Sequence, residues 1–154
     1  MAAINIGDDM NRLKLGVVLG GLATLALVGF VAAQVMKTTS PVDAKAYIIS
    51  PKNGDTVSSP VTIQFGLKGM GVAPAGITNP NTGHHHVLVD LDQMPDMNVP
   101  LPMTDHIKHF GGGQTETELM LPAGKHTLQL LLGDAIHIPH DKPVMSEKIT
   151  ITVK

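Results

Sequence analysis

The chain is 154 residues long, with 11 Lys plus Arg against 13 Asp plus Glu and a formal net charge of -2. It therefore lacks the basic surface with which proteins displace counterions from a phosphate backbone, and nucleic acid is excluded as a partner. The absence of cysteine removes disulfides, zinc-thiolate sites, iron-sulfur clusters and cysteine nucleophiles together. Tyr47, Phe30, Phe65 and Phe110 are the whole aromatic set, with no tryptophan, so stacking platforms for sugars or bases are not expected.

Residues 1–14 form a polar leader carrying Arg12 and Lys14. From Leu15 to Ala33 follow 19 residues without a charge, about 28 Å as a helix against a hydrocarbon core of about 30 Å. A transmembrane helix over 15–36 is expected, and with it a lipid bilayer as partner. A cleaved signal peptide is the rival reading, since Val31-Ala32-Ala33 before Gln34 satisfies the small-residue rule; the long leader and long apolar run favour a retained helix. Basic residues flank both ends, so the charge rule barely orients it. Gly16 and Gly20 make a GxxxG pair, extended by Gly20/Thr24 and Gly29/Ala33. That stripe lets another backbone approach closely and suggests other transmembrane subunits as partners, although small residues are also common in membrane helices generally.

Residues 37–44 (KTTSPVDA) read as a short linker, and 45–154 as one extramembrane domain. Ala46 to Ser50 is a strand candidate that ends at PKNGD, where Asn53-Gly54 supplies positive φ angles. Val61, Ile63, Phe65 and Leu67 alternate with Thr62, Gln64 and Gly66, which places one apolar face inward. His84 to Asp90 is a further strand. Thr115 to Leu121 and His126 to Leu132 flank Pro122-Ala-Gly-Lys125 and read as a hairpin, and Ile149, Ile151 and Val153 alternate in the last strand. With a short piece near Val57 the count is six or seven strands, and no helical period follows Val35. An all-β, immunoglobulin-like sandwich is expected. The long connections Lys68 to Gly83 and Leu91 to Gln114 are of the kind usually kept for function.

Eight histidines, His84, His85, His86, His106, His109, His126, His137 and His140, all lie after residue 83. Strand alternation sends His84 and His86 to one face and His85 to the other. A metal site from His84, His86, His137 and His140 follows if the HIPH turn closes on that face, and Met70, Met94, Met97, Met103, Met120 and Met145 add soft thioethers. Histidine and methionine without cysteine suit copper outside the cytoplasm. The competing account is structural: imidazoles paired with carbonyls or with Asp90, Asp92, Asp105, Asp134 and Asp141 would tie long loops to the sandwich. No catalytic motif is present; the HFGGGQTE run precedes a strand rather than a phosphate-cradling helix, and no GxSxG elbow occurs, so no enzyme is expected.

The ordered motifs GHHH, HFGGGQTE and HIPH, within about Lys45 to Lys154, resemble a bacterial family of exported domains classed only as a domain of unknown function. The resemblance implies a periplasmic location, hence a bacterial inner-membrane protein with its N-terminus in the cytoplasm. It carries no activity or site residues. Two functions remain in view. One is a non-enzymatic accessory subunit that braces a larger membrane complex, such as a respiratory or photosynthetic electron-transfer complex, from the periplasm. The other is a membrane-tethered copper-binding protein.

Overall fold

The structure, a computed structural model, describes residues 36–154. The expected membrane helix, with Gly16, Gly20, Thr24, Gly29 and Ala33, lies outside the described residues. Among those described, all regular structure is β, and no helix is long and apolar enough to cross a membrane.

Nine strands follow in chain order: β1 (Lys45–Ser50), β2 (Thr56–Val57), β3 (Val61–Lys68), β4 (Gly71–Val72), β5 (Thr82–Val89), β6 (Ile107–His109), β7 (Glu116–Leu119), β8 (Gly124–Gly133) and β9 (Ile149–Val153). They form a three-stranded sheet, β1-β3-β7, and a six-stranded sheet, β2-β9-β8-β5-β4, with β6 also on β5. The alternation read at Val61, Ile63 and Phe65 points these side chains into one core. There they meet Val87 and Val89 of β5, Leu128, Leu130 and Leu132 of β8, and Ile151 and Val153 of β9. Both sheets thus give one face to a shared apolar interior, the two-layer arrangement of a sandwich.

The pairing of the two strands around Pro122 differs from the expected hairpin. β7 pairs with β3 in the small sheet, whereas β8 pairs with β9 and β5 in the large one. Residues Gly124–Leu128 of β8 face β9 and Leu128–Gly133 face β5, so β8 is built into the large sheet along its whole length. The Pro122–Gly124 link therefore crosses between sheets. At the other turn, Gly54 holds φ +87° while Asn53 keeps an ordinary backbone and accepts the Thr150 amide on its side-chain oxygen.

Behind β5 and β8 lies a second, smaller apolar cluster of Leu88, Leu101, Ile107 and Leu131, with Leu91, Met97 and Met145 against it. Leu101 reaches it from the long connection between β5 and β6, so that loop roofs the outer face of the large sheet. One end of the arrangement is fixed at Asp90, where φ is +50°. Its carboxylate accepts the Thr127 amide at 2.7 Å and pairs with His126 Nδ1 at 2.7 Å. Nε2 of His126 donates to the Pro122 carbonyl at 2.9 Å. With both ring nitrogens facing acceptors, the imidazolium is favoured, and the hydrogen bond to Asp90 raises the His126 pKa. That contribution is full below the unfolded pKa and is lost as pH rises through the folded one.

Asp90→Ala removes both bonds and leaves an alanine in the left-handed region. It is expected to lower stability by about 2 kcal/mol, read as a lower urea midpoint at unchanged m-value. A midpoint equal to that of the parent chain contradicts this role.

Candidate metal centre

Period-two alternation along β5 decides where three consecutive histidines go. His85 turns inward with Val87 and Val89, its ring 5.2 Å from that of Phe65. His84 and His86 turn outward with Leu88, under the loop roof, and all three histidines are fully buried. Antiparallel pairing of β6 with β5 sets His109 directly opposite His86. His137 arrives from the turn after β8. Ring centroids of His84, His86, His109 and His137 lie 4.6 to 6.2 Å apart. Ring nitrogens of His84, His109 and His137 all fall within 4.8 Å of one another.

Two glycines make room for this cluster. A Cβ on Gly111 would stand 2.3 Å from Cε1 of His109, and one on Gly133 would stand 2.8 Å from Cε1 of His86 and 3.3 Å from the His137 backbone. Both positions require glycine for close approach rather than for turn geometry. The loop between β4 and β5 braces the outer pair of ligand carriers: the Ala75 amide donates to the Gly111 carbonyl and the Gly76 amide to the Ala135 carbonyl, each at 2.8 Å.

His137 sits at φ +72° in a turn that Asp134 builds. The Asp134 amide donates to the Ile138 carbonyl at 2.9 Å and the His137 amide to the Asp134 carbonyl at 3.0 Å. Oδ1 of Asp134 accepts the amides of Ile136 and Ile138, each at 3.0 Å. This is the local side-chain-to-backbone bonding for which aspartate is favoured in turns. The His137 carbonyl in turn accepts the Leu101 amide at 2.9 Å, tying the turn to the roof.

The expected tetrad is thus altered at one position. His84, His86 and His137 come together, but His140 does not join them; its Nδ1 lies 2.7 Å from Thr38 Oγ1. Residues 137 and 140 lie in a non-helical segment in which His137 holds the left-handed φ of a turn and Pro139 is bridged to Gly133, and there the His140 ring goes to Thr38. His109 takes the vacated place. The sequence signal for it was the glycine two positions on, whose role is to clear the His109 ring.

The remaining histidines divide cleanly. His126 is paired as described, and His106 Nδ1 meets the Val89 carbonyl at 2.9 Å; these fit the structural account, as does Nδ1 of His140, whose Nε2 is buried without a partner among the described residues. His84, His86 and His109 do not. Among the described residues, both nitrogens of His84 and of His86, and Nε2 of His109, are buried without a partner at hydrogen-bonding geometry, although a backbone group of Leu131 bears on His86. Burial, followed by mutual repulsion with neighbouring imidazoles, pushes His84 down to about 4 and His86 to about 3. Burial also lowers His109. These rings are neutral at pH 7, so their lone pairs can bind an ion without first releasing protons. A tetrahedral ion with bonds of about 2.0 Å needs nitrogens about 3.4 Å apart; one nitrogen each from His84, His109 and His137 already meets within 4.8 Å, with the His86 ring 4.9 to 6.2 Å from theirs. Of the methionines, Met70 packs on the main core and Met97 and Met145 on the smaller cluster, while Met94, Met103 and Met120 are exposed.

The chain belongs to the family described as Domain of unknown function (DUF4399), whose model matches residues 63–154. The match contains all eight histidines. No curated protein and no solved structure matches the chain.

Because His84, His85 and His86 fall from 6.5 to about 4, 4 and 3, the unfolded chain binds more protons than the folded one below 6.5. Their stabilising contribution is full above 6.5 and is lost as pH falls towards the folded values. The thermal midpoint of the metal-free chain is expected to drop steadily between pH 6.5 and 4. A midpoint independent of pH across that window contradicts a neutral buried cluster.

Proposed function

We propose that this domain binds one transition-metal ion, with copper its best-matched occupant, through His84, His86, His109 and His137. The observation that carries the reading is that one ring nitrogen each of His84, His109 and His137 converges within 4.8 Å, with the nitrogens of His84 and Nε2 of His109 buried and lacking a hydrogen-bond partner among the described residues. An unpaired buried polar group costs about 1–3 kcal/mol, and several in one place form an arrangement that a folded domain keeps for a ligand. A metal ion is the one partner that takes up convergent imidazole lone pairs together.

The donor set favours copper among the candidates. It consists of imidazole nitrogens, with no thiolate in the chain and no carboxylate converging with His84, His109 and His137 among the described residues. For such a set the Irving–Williams order places Cu(II) above the other divalent first-row ions. The role that follows is to hold or hand on the ion, not to catalyse a reaction. The sequence adds an immunoglobulin-like sandwich, a periplasmic setting and the Leu15–Val35 anchor in a bacterial inner membrane. A metal-holding domain on such an anchor is also a fitting accessory subunit of an electron-transfer complex, with the small-residue stripe facing its transmembrane partners.

Full-length chain in mild detergent, titrated with Cu(II) or Zn(II) against a competing chelator, tests the reading. One equivalent of Cu(II) is expected to bind with submicromolar affinity and more tightly than Zn(II). His84→Ala combined with His109→Ala is expected to abolish this binding. His85→Leu, on the opposite face, is expected to leave it intact and to stabilise the metal-free chain by about 1 kcal/mol, since it removes buried nitrogens that lack partners. Affinity weaker than micromolar, or unchanged in the double variant, contradicts the proposal.

A further inference from the structure

Thr38 stands well outside the cluster in sequence yet is bonded to the residue that shapes it. Its Oγ1 donates to Oδ2 of Asp134 at 3.2 Å, the carboxylate whose other oxygen holds the His137 turn. A threonine hydroxyl has one proton. With that proton given to Asp134, the 2.7 Å contact between Thr38 Oγ1 and His140 Nδ1 is made by an Nδ1–H donated from His140. The tautomer of His140 is therefore set, and donation from His140 through Thr38 and donation from the Ile136 and Ile138 amides converge on the Asp134 carboxylate.

The same segment is fastened at further points. The Asp141 amide donates to the Thr38 carbonyl at 2.9 Å, the Ser40 amide to Asp141 Oδ1 at 3.2 Å, and Ser40 Oγ to the Lys142 carbonyl at 2.8 Å. Thr38 to Ser40 thus lies as a strap along the stretch from Asp134 to Lys142 that presents His137. Few apolar contacts hold it; Thr38 is exposed, and Thr38, Asp134 and His140 line a cavity of about 340 Å³. A substitution at Thr38 therefore has space and does not disturb the core.

We propose that Thr38, with His140 behind it, is a positioning residue for the metal centre, and that docking of the Thr38–Ser40 strap and metal binding at the four histidines favour each other. The inference rests on the metal reading above. Its physical basis is orientation at one remove: Thr38 orients the Asp134 carboxylate, which fixes the backbone turn that presents His137, and the 10- to 100-fold weakening typical of losing a group bonded directly to a ligand is the upper bound of the effect. Linkage makes the effect mutual, so whatever tightens the ion through the strap is matched by the ion tightening the strap.

The test uses the full-length chain in detergent with Cu(II) as probe. Thr38→Val, which keeps the shape and removes the hydroxyl, is expected to weaken Cu(II) binding about tenfold and to change the electron paramagnetic resonance spectrum of the bound ion. Thr38→Ser is expected to restore both. In the unaltered chain, one equivalent of Cu(II) is expected to slow hydrogen exchange at the Asp141 amide, a measurement that needs no variant. Equal affinity and spectrum for Thr38→Val, failure of Thr38→Ser to rescue, or exchange at Asp141 indifferent to the ion each overturns the coupling while the metal reading stands. An unaltered chain that binds no Cu(II) overturns the metal reading and the coupling with it.

Discussion

A β-strand that carries three histidines in succession must bury them on two faces at once, and most of the domain's unusual features are arranged around that constraint. His85 goes to the shared interior, where it packs against Phe65. His84 and His86 go to the opposite face of the large sheet, which in a plain sandwich would be open to water. Water would satisfy their nitrogens. Instead the β5–β6 connection and the segment after β8 cover that face, with Leu101 seated beside Leu88, Ile107 and Leu131. The covering removes the solvent that a polar side chain ordinarily needs, and what replaces it is two further imidazoles, His109 and His137.

Three loops converge to support that replacement, each by backbone hydrogen bonds. The β4–β5 connection reaches both Gly111 and Ala135, the β5–β6 connection reaches His137, and the strap at Thr38 reaches Asp141. Long loops without regular structure are entropically costly unless something fixes them. Here they are fixed to one another around the cluster. The other histidines show the contrast: at least one ring nitrogen of each of His106, His126 and His140 finds a carbonyl, carboxylate or hydroxyl, as polar groups in a folded protein ordinarily do.

Local signals carried much of this. The alternation at Val61, Ile63 and Phe65, the split of His84 and His86 from His85, and the last strand at Ile149–Val153 were legible because period-two patterning is a property of consecutive residues. Non-local facts were not. That β7 and β8 belong to different sheets depends on β8 being committed to β5 and β9, which no window around Pro122 can reveal. His109 is not legible locally because its partnership with His86 comes from the β5–β6 register, and the HFGGGQTE run does not by itself reveal that the reason for Gly111 is the imidazole ring beside it. His140 was included on spacing alone, and spacing could not show that Thr38 occupies its Nδ1.

The central claim is that four imidazoles close on one ion. X-ray absorption spectroscopy of the full-length chain loaded with one equivalent of Cu(II) tests it most directly, since multiple scattering from the rings counts histidines. The account predicts a first shell dominated by nitrogen at about 2.0 Å with the scattering of four imidazoles, reduced to three in His109→Ala. A shell of oxygen with at most one imidazole, unchanged in His109→Ala, would contradict it.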